Sequence, residues 1–353
     1  MNLSKHKIGI ALHTDIIGDI VERRSQGERN VIERRHASYF FENKINLICD
    51  HVIGDTFETL CFPTKKILQG LFPPSYYSPS YLKHNLINLV SFIEDINESS
   101  NSALLIRNKK DIEIAINQKR LGIILCFQGC SPLEDEPTLL RAYCNMGVRI
   151  INLSSALVPN LAVGHALENE ERGLSNFGKE VLKEAEDLRM IVDLSGCSER
   201  GFWDVLKYFS GSVIASTSNC RAIHNRPNNL SDEQIKALSE RSGVIGVIFN
   251  SRSIGDPTID GLIRHIDHIV NVAGVDAIAL GPNIVEPRMY PMEIYERIYK
   301  DVDHWSGDYP DGLETYAGIE LLCNRLADLG WSEDHIGAFR GKNSLRLLTQ
   351  ALN

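Results

Sequence analysis

The feature that most constrains this chain is an alternation of short apolar runs with longer amphipathic stretches. Near-continuous runs of Ile, Val and Leu are typical of strands buried on both faces, which occur in parallel sheets whose connections are helices. Eight runs are predicted as strands: Ile8–Leu12, Ile45–Cys49, Gly122–Phe127, Val148–Leu153, Met190–Leu194, Val213–Ser216, Val244–Phe249 and Ala277–Gly281. A weaker run at Ala103–Ile106 leaves the exact strand count open.

The amphipathic stretches between these runs are predicted as helices: Leu86–Ile96, Thr138–Met146, Asn176–Leu188, Glu199–Tyr208, Ser231–Arg241, Thr258–Val272 and Leu313–Leu329. Ser231 and Gln234 have the spacing of a capping box, which marks a helix start. About eight strand–helix units favour a single TIM-like (β/α)8 barrel domain over residues 1–353, rather than an open doubly wound sheet. No GxGxxG or GxxxxGK[ST] motif follows any of these runs, which argues against dinucleotide and P-loop sites.

Charge and cysteine usage limit the partners of the chain. The net charge of −9 disfavours binding to nucleic acid or to an anionic membrane, because both require a basic face. The sequence shows neither a secretory signal nor an apolar run long enough to span a bilayer, so we expect a cytoplasmic protein with no membrane partner. Its eight cysteines form no CxxC pair, which favours reduced thiols over disulfides or a structural zinc site.

The chemistry of a (β/α)8 barrel lies at the carboxyl ends of its strands. His13 and Asp15 follow the first predicted strand and alternate along it, so their side chains are expected to point the same way. An HxD pair of this kind supplies two metal ligands, which is too few to hold a divalent ion tightly. We therefore expect at most one zinc ion, bound weakly or not at all, and no other cofactor.

Several segments resemble, in the same order, motifs of the zinc-dependent membrane (renal) dipeptidase family. LHTD at 12–15 resembles the family's DGHxD, FQGC at 127–130 its IEGG, and GVRIINL at 147–153 its GVRxxxL. GLSNFG at 173–178 is similar to GLTxFG, DLSG at 193–196 to DxSH, and ASTSN at 215–219 to ASHSN. PNNL at 227–230 is similar to PRNL, and GKNSLR at 341–346 to GGNxxR. The resemblance covers nearly the whole chain and implies the barrel fold and a possible homodimer.

The departures from these motifs fall on the zinc ligands. In the family, the HxD pair binds one zinc ion, a Glu bridges two ions, and two histidines bind the second. Gln128 stands at the bridging position, and Gly196 and Thr217 stand at the two histidine positions. An amide, a missing side chain and a hydroxyl are poor replacements for zinc ligands. The resemblance therefore implies a dismantled dinuclear site.

Three further departures fall on the proton carrier and the substrate contacts. Asn283 stands where the family has an acid/base Asp, Ser155 where it has a substrate-binding His, and Asn228 where it has a substrate-binding Arg. Arg226 lies two positions before Asn228 and is an alternative to the missing Arg. An amide does not titrate near neutral pH, so Asn283 cannot exchange a proton there. These four residues join Gln128, Gly196 and Thr217 as the predicted ligand-binding set.

Cys130 and Cys197 are additional candidates for chemistry, beside Asn283. Each follows closely on a substituted ligand position. The residues leave two interpretations open: buried thiols at the strand ends, or a reactive thiol or sulfur-rich metal site.

Three functions remain open from the sequence. The first is binding or transformation of a small peptide-like or amino-acid-derived molecule without zinc-dependent hydrolysis, possibly in a biosynthetic pathway. The second is a catalytically inactive pseudoenzyme that acts as a scaffold for a partner protein. The third is a residual single-metal dipeptidase that uses His13 and Asp15.

Overall fold

A computed structural model of the chain describes residues 8–53, 81–154, 162–166, 171–286 and 309–353. These residues include nine strands joined in one parallel sheet. The strands are β1 (Ile10–Thr14), β2 (Leu47–Ile53), β3 (Ala103–Leu105), β4 (Leu121–Gln128), β5 (Val148–Asn152), β6 (Ile191–Asp193), β7 (Val213–Ser218), β8 (Val244–Val247) and β9 (Ile278–Leu280).

Eight of these strands close into a barrel. The sheet runs β2-β1-β9-β8-β7-β6-β5-β4-β3, and β2 also pairs with β4 from Leu47↔Gly122 to Ile53↔Gln128. This pairing leaves β3 outside the closed ring, on the amino-terminal half of β4. The (β/α)8 prediction is confirmed, and the weak run at 103–106 is an extra strand on the barrel.

Helices cover the outside of the sheet. They are α1 (Ile17–Ser25), α2 (Ala37–Glu42), α3 (Tyr81–Glu98), α4 (Lys109–Gln118), α5 (Leu139–Met146), α6 (Asn176–Asp187), α7 (Glu199–Tyr208), α8 (Asp232–Glu240), α9 (Ser251–Ile254), α10 (Ile259–Ala273), α11 (Gly318–Asp328), α12 (Glu333–Gly337) and α13 (Asn343–Ala351). Of the helices in the described ranges, none is both long and apolar enough to cross a membrane.

The alternation of side chains along each strand divides the core in two. Leu47 and Cys49 pack in the cluster that fills the barrel interior, whereas Ile48 packs in the cluster beneath the helices. The same parity directs the side chain of His51, two residues beyond Cys49, into the barrel. Strand β1 shifts its register between Ala11 and Thr14, at the residues that precede Asp15. The strand ends are thus irregular where the candidate site begins.

Candidate functional site at the carboxyl end of the barrel

Gln128 and Thr217 occupy open positions at the ends of their strands. In β4, Gln128 is the only residue that is not fully buried, and in β7 the only such residue is Thr217. Because the strands are parallel, both residues lie at the carboxyl end of the barrel. Gln128 and Thr217 stand at zinc-ligand positions of the family motifs, and they are also the accessible residues of their strands.

Gly196 and Asn283 follow β6 and β9 at the same end of the barrel. Both have left-handed backbone conformations, with φ of +75° and +48°. The Asn283 carbonyl accepts a hydrogen bond from the Tyr309 hydroxyl at 2.9 Å. Both residues are partly exposed, so the structure brings four of the predicted site residues to one rim.

His13 lies at the end of β1 in contact with three other polar side chains. Its Nδ1 is 3.4 Å from the Ser216 Oγ, and its Nε2 is 3.6 Å from the Asp15 Oδ1. Its ring stacks on that of His51, with 3.7 Å between the ring centroids and 15° between the planes. The two side chains of the HxD pair therefore lie close together, and His13 is packed against side chains of other strands.

His51 is a site residue that the motif comparison missed. Its Nδ1 lies 3.2 Å from the Cys49 carbonyl oxygen, and its Nε2 lies 3.9 Å from the Asp193 Oδ2. A carbonyl oxygen can only accept, so this contact makes Nδ1 the protonated nitrogen. Burial lowers the pKa of His51 to about 4, so the ring is neutral at pH 7. The inward parity of Leu47, Cys49 and His51 was the signal that could have identified it.

Asp193 joins the ends of β6 and β7 beneath this pair. Its Oδ1 accepts from the Ser195 and Ser216 backbone N–H groups at 3.0 and 2.9 Å and from the Ser195 hydroxyl at 2.7 Å. Its Oδ2 accepts from the Ser216 hydroxyl at 2.5 Å. The Ser195 hydroxyl in turn accepts from the Thr217 N–H at 3.0 Å. This network fixes the backbone on which Thr217 stands.

Two carboxyl groups lie just after β1 and within β2, the half-buried Asp15 and the fully buried Asp50. Burial raises the pKa of Asp15 to about 8, with a further contribution from the nearby Asp50 carboxylate. Burial also raises the pKa of Asp50 to about 7, although hydrogen bonds from Thr14, Ile16 and Ile17 act in the opposite direction. Both raised pKa values have the same main cause, because burial disfavours the charged form of a carboxyl group.

The predicted substrate contacts lie in the connection after β7. The Arg226 Nη1 donates to the Arg252 carbonyl at 3.1 Å. Within the described ranges, the Arg226 Nε and the Asn228 Oδ1 are buried without a hydrogen-bond partner. Ser155, the remaining predicted contact, lies outside the described residues.

The two candidate cysteines are buried. Cys130 follows the Gln128-Gly129 turn, and Cys197 follows Gly196. Burial raises the pKa of the Cys197 thiol, as does the Asp193 carboxylate. A protonated, buried thiol is a poor nucleophile. Catalysis by Cys130, Cys197 or Asn283 stays a prediction.

The described rim residues do not fit the donor set of a dinuclear zinc site. His13 and Asp15 supply the imidazole and carboxyl, but Gln128 and Thr217 offer an amide and a hydroxyl. At Gly196, a Cβ would lie 3.0 Å from the Nε2 of His165, so that space is already filled. In the part of the chain that the structure describes, no three His, Cys, Asp or Glu side chains come together as metal ligands.

A (β/α)8 barrel with a polar site at its carboxyl rim defines the class of protein. A family model described as membrane dipeptidase (peptidase family M19) matches residues 74–290. The chain belongs to this membrane dipeptidase family. Among curated relatives, an uncharacterized Klebsiella pneumoniae protein in the pqqA 5′ region is 27% identical over 250 residues, 67% of this chain and 85% of that protein.

Human dipeptidase 3 is 26% identical over 243 residues, which are 66% of this chain but only 46% of that protein. The chain thus spans about half the length of this relative. A Rhodobacter sphaeroides metallopeptidase, solved with a phosphinate mimic of the dipeptide L-Ala-D-Ala, superposes with a TM-score of 0.79 at 16% identity. That match covers 97% of this chain and 99% of the other, and it supports the barrel fold.

Proposed function

We propose that this chain binds or transforms a small peptide-like or amino-acid-derived molecule at the carboxyl rim of its barrel, without zinc-dependent hydrolysis. The observation that carries the proposal is the exposure pattern of the strand ends. Gln128 and Thr217 are the accessible residues of β4 and β7, and both are neutral and polar. Such groups orient a ligand by hydrogen bonds but do not activate a water molecule as a metal does.

The connection after β7 supports a polar ligand. The Arg226 Nε is a buried donor and the Asn228 Oδ1 a buried acceptor, each without a hydrogen-bond partner among the described residues. Buried polar groups of this kind normally pair with protein, solvent or ligand, because leaving one unpaired is costly. A peptide-like ligand carries both kinds of group that these atoms lack, a carbonyl acceptor and an N–H donor.

A neighbouring groove has the size and charge for such a ligand. It measures about 720 Å³ and is lined by residues of the connections that follow β5, β6 and β7. Its lining includes Glu171 and Arg200 beside the ion pair of Glu199 and Arg221, so both signs of charge face the groove. Pockets of roughly 300–1,000 Å³ are typical of small-molecule sites.

The experiment that tests the proposal measures binding and hydrolysis separately. We expect L-Ala-D-Ala, added as a probe, to bind in calorimetry without release of free alanine, even with excess zinc. Thr217→Trp, which fills the rim, should abolish binding. Lys183→Glu, a charge reversal on the exposed face of α6, is the control that should leave binding intact. Zinc-dependent alanine release that is lost in His13→Ala would overturn the proposal.

A further inference from the structure

His165 lies outside the segments that carry the family resemblance, yet it packs against one of the substituted ligand positions. A Cβ built on Gly196 would lie 3.0 Å from the His165 Nε2 and 3.3 Å from its Cδ2. Both distances are shorter than ordinary van der Waals contact. The space that the first side-chain atom of residue 196 would enter is thus occupied by an imidazole from another connection.

The backbone holds His165 in this place. Residue 165 forms an antiparallel bridge with Cys197, and the Ala166 N–H donates to the Gly196 carbonyl at 2.9 Å. The Ser198 N–H donates to the Gly164 carbonyl at 2.8 Å on the other side. These bonds tie the two segments together on both sides of the contact, so the backbone of residue 165 cannot move away from Gly196 without breaking them.

The conformation of Gly196 adds a second obstacle to a side chain. Its φ of +75° lies in the left-handed region, which glycine adopts freely and other residues adopt at a cost. The Gly196 carbonyl is further fixed by the Ser154 hydroxyl, at 3.2 Å. A substitution at residue 196 therefore meets both backbone strain and the His165 ring.

We infer that His165 places its imidazole at the end of β6, in the space that a zinc-binding side chain of residue 196 would occupy. The ring thereby excludes a cation from the second position of a dinuclear zinc site. The second metal position is filled in this chain, in addition to having lost its ligands. His165 is only 5% exposed, so its ring occupies this corner of the rim instead of projecting into solvent. It is therefore a specificity-determining residue, because the space beside Gly196 is not available to a further ligand of a metal ion. The inference does not depend on which ligand the rim binds.

The direct test restores the missing zinc ligands in the full chain. The variant Gln128→Glu, Gly196→His, Thr217→His is prepared with His165 intact and with His165→Gly, and both are dialysed against zinc. Metal per chain is measured by mass spectrometry and affinity by calorimetry. We expect roughly one zinc ion per chain with His165 intact and a second only in the His165→Gly background. Two ions bound equally tightly in both variants would overturn the inference.

A smaller change tests the same contact if the restored variants do not fold. Gly196→Ala adds only a Cβ, and Gly330→Ala is the control, because Gly330 also has a positive φ, +93°, and no atom lies within 4 Å of its Cβ. We expect Gly196→Ala to lower the urea midpoint more than the control does. His165→Ala should remove that excess. An equal loss with and without the imidazole would contradict the contact on which the inference rests.

Discussion

At the scale of single residues, Asp193 is the side chain on which the rim depends most. It is fully buried and accepts four hydrogen bonds, two of them from the backbone N–H groups of Ser195 and Ser216. Asp193→Ala leaves both donors buried and unpaired, so we expect it to lower the free energy of unfolding by at least about 3 kcal/mol. Urea denaturation followed by circular dichroism measures the loss.

The control is an aspartate of the surface. Asp260 pairs with Arg325 at 2.9 Å, but both side chains are about half exposed. Exposed pairs contribute little because solvent screens them, so Asp260→Ala should cost much less than the buried change. Similar losses for the two variants would mean that Asp193 does not organise the ends of β6 and β7.

A buried histidine predicts how stability depends on pH. His265 accepts a hydrogen bond from the Cys220 N–H at Nδ1, and its Nε2 lies 2.9 Å from the Ile254 carbonyl oxygen. Burial lowers its pKa to about 4, whereas an unfolded histidine titrates near 6.5. Between these values the unfolded chain binds the extra proton, so stability is complete above pH 6.5 and decreases as pH falls towards 4.

His265 should therefore account for about 2 kcal/mol of the stability lost by pH 5. Unfolding curves of the wild type and of His265→Gln are recorded from pH 7.5 to pH 5. Their difference gives the contribution of His265 to the free energy of unfolding, since other buried histidines contribute equally to both proteins. We expect a shallower pH dependence in the variant. Parallel curves would show that His265 does not remain neutral in the folded protein.

At the scale of elements, the capping box predicted for α8 is present. The Ser231 hydroxyl accepts from the Gln234 N–H at 3.3 Å, and the Gln234 side chain accepts from the Ser231 N–H at 2.9 Å. Ser231→Ala should lower the free energy of unfolding by about 1 kcal/mol. Thr138 precedes α5 without capping it through its side chain, so Thr138→Ala is a control with a smaller expected loss. Equal losses would assign no role to the cap.

The sequence was less informative about α1 and the segment that follows it. Residues 22–35 mix both signs of charge, a pattern that is typical of a solvated surface. Instead, Arg24 is only 8% exposed and pairs with Asp95 and Glu98 of α3 at 3.0 and 2.6 Å. Asp95 also accepts from the Val31 N–H at 3.1 Å. The partners lie some 70 residues away, and local charge patterning contains no information about such long-range contacts.

At the scale of the whole molecule, apolar periodicity was sufficient to predict the fold. It located all eight barrel strands, because strands buried on both faces must be apolar throughout. The rim was predictable only in part. Motif positions identified Gln128 and Thr217, but the stacking of His13 on His51 and the approach of His165 to Gly196 arise from chain segments that meet only in the folded barrel.

The last prediction concerns what holds the barrel together. Its ring is closed by the β2–β4 pairing, and the ends of β6 and β7 are joined through Asp193. All of these contacts are made by the chain itself, so we expect chelation by EDTA, or added zinc, to leave Tm unchanged. A folded-state zinc site at a metal concentration of about 1,000 times Kd would instead add about 4 kcal/mol and raise Tm by several degrees. Differential scanning calorimetry of the chelated and zinc-treated protein distinguishes the two outcomes, and a large zinc-dependent rise that disappears in His13→Ala would show that the HxD pair still anchors a metal.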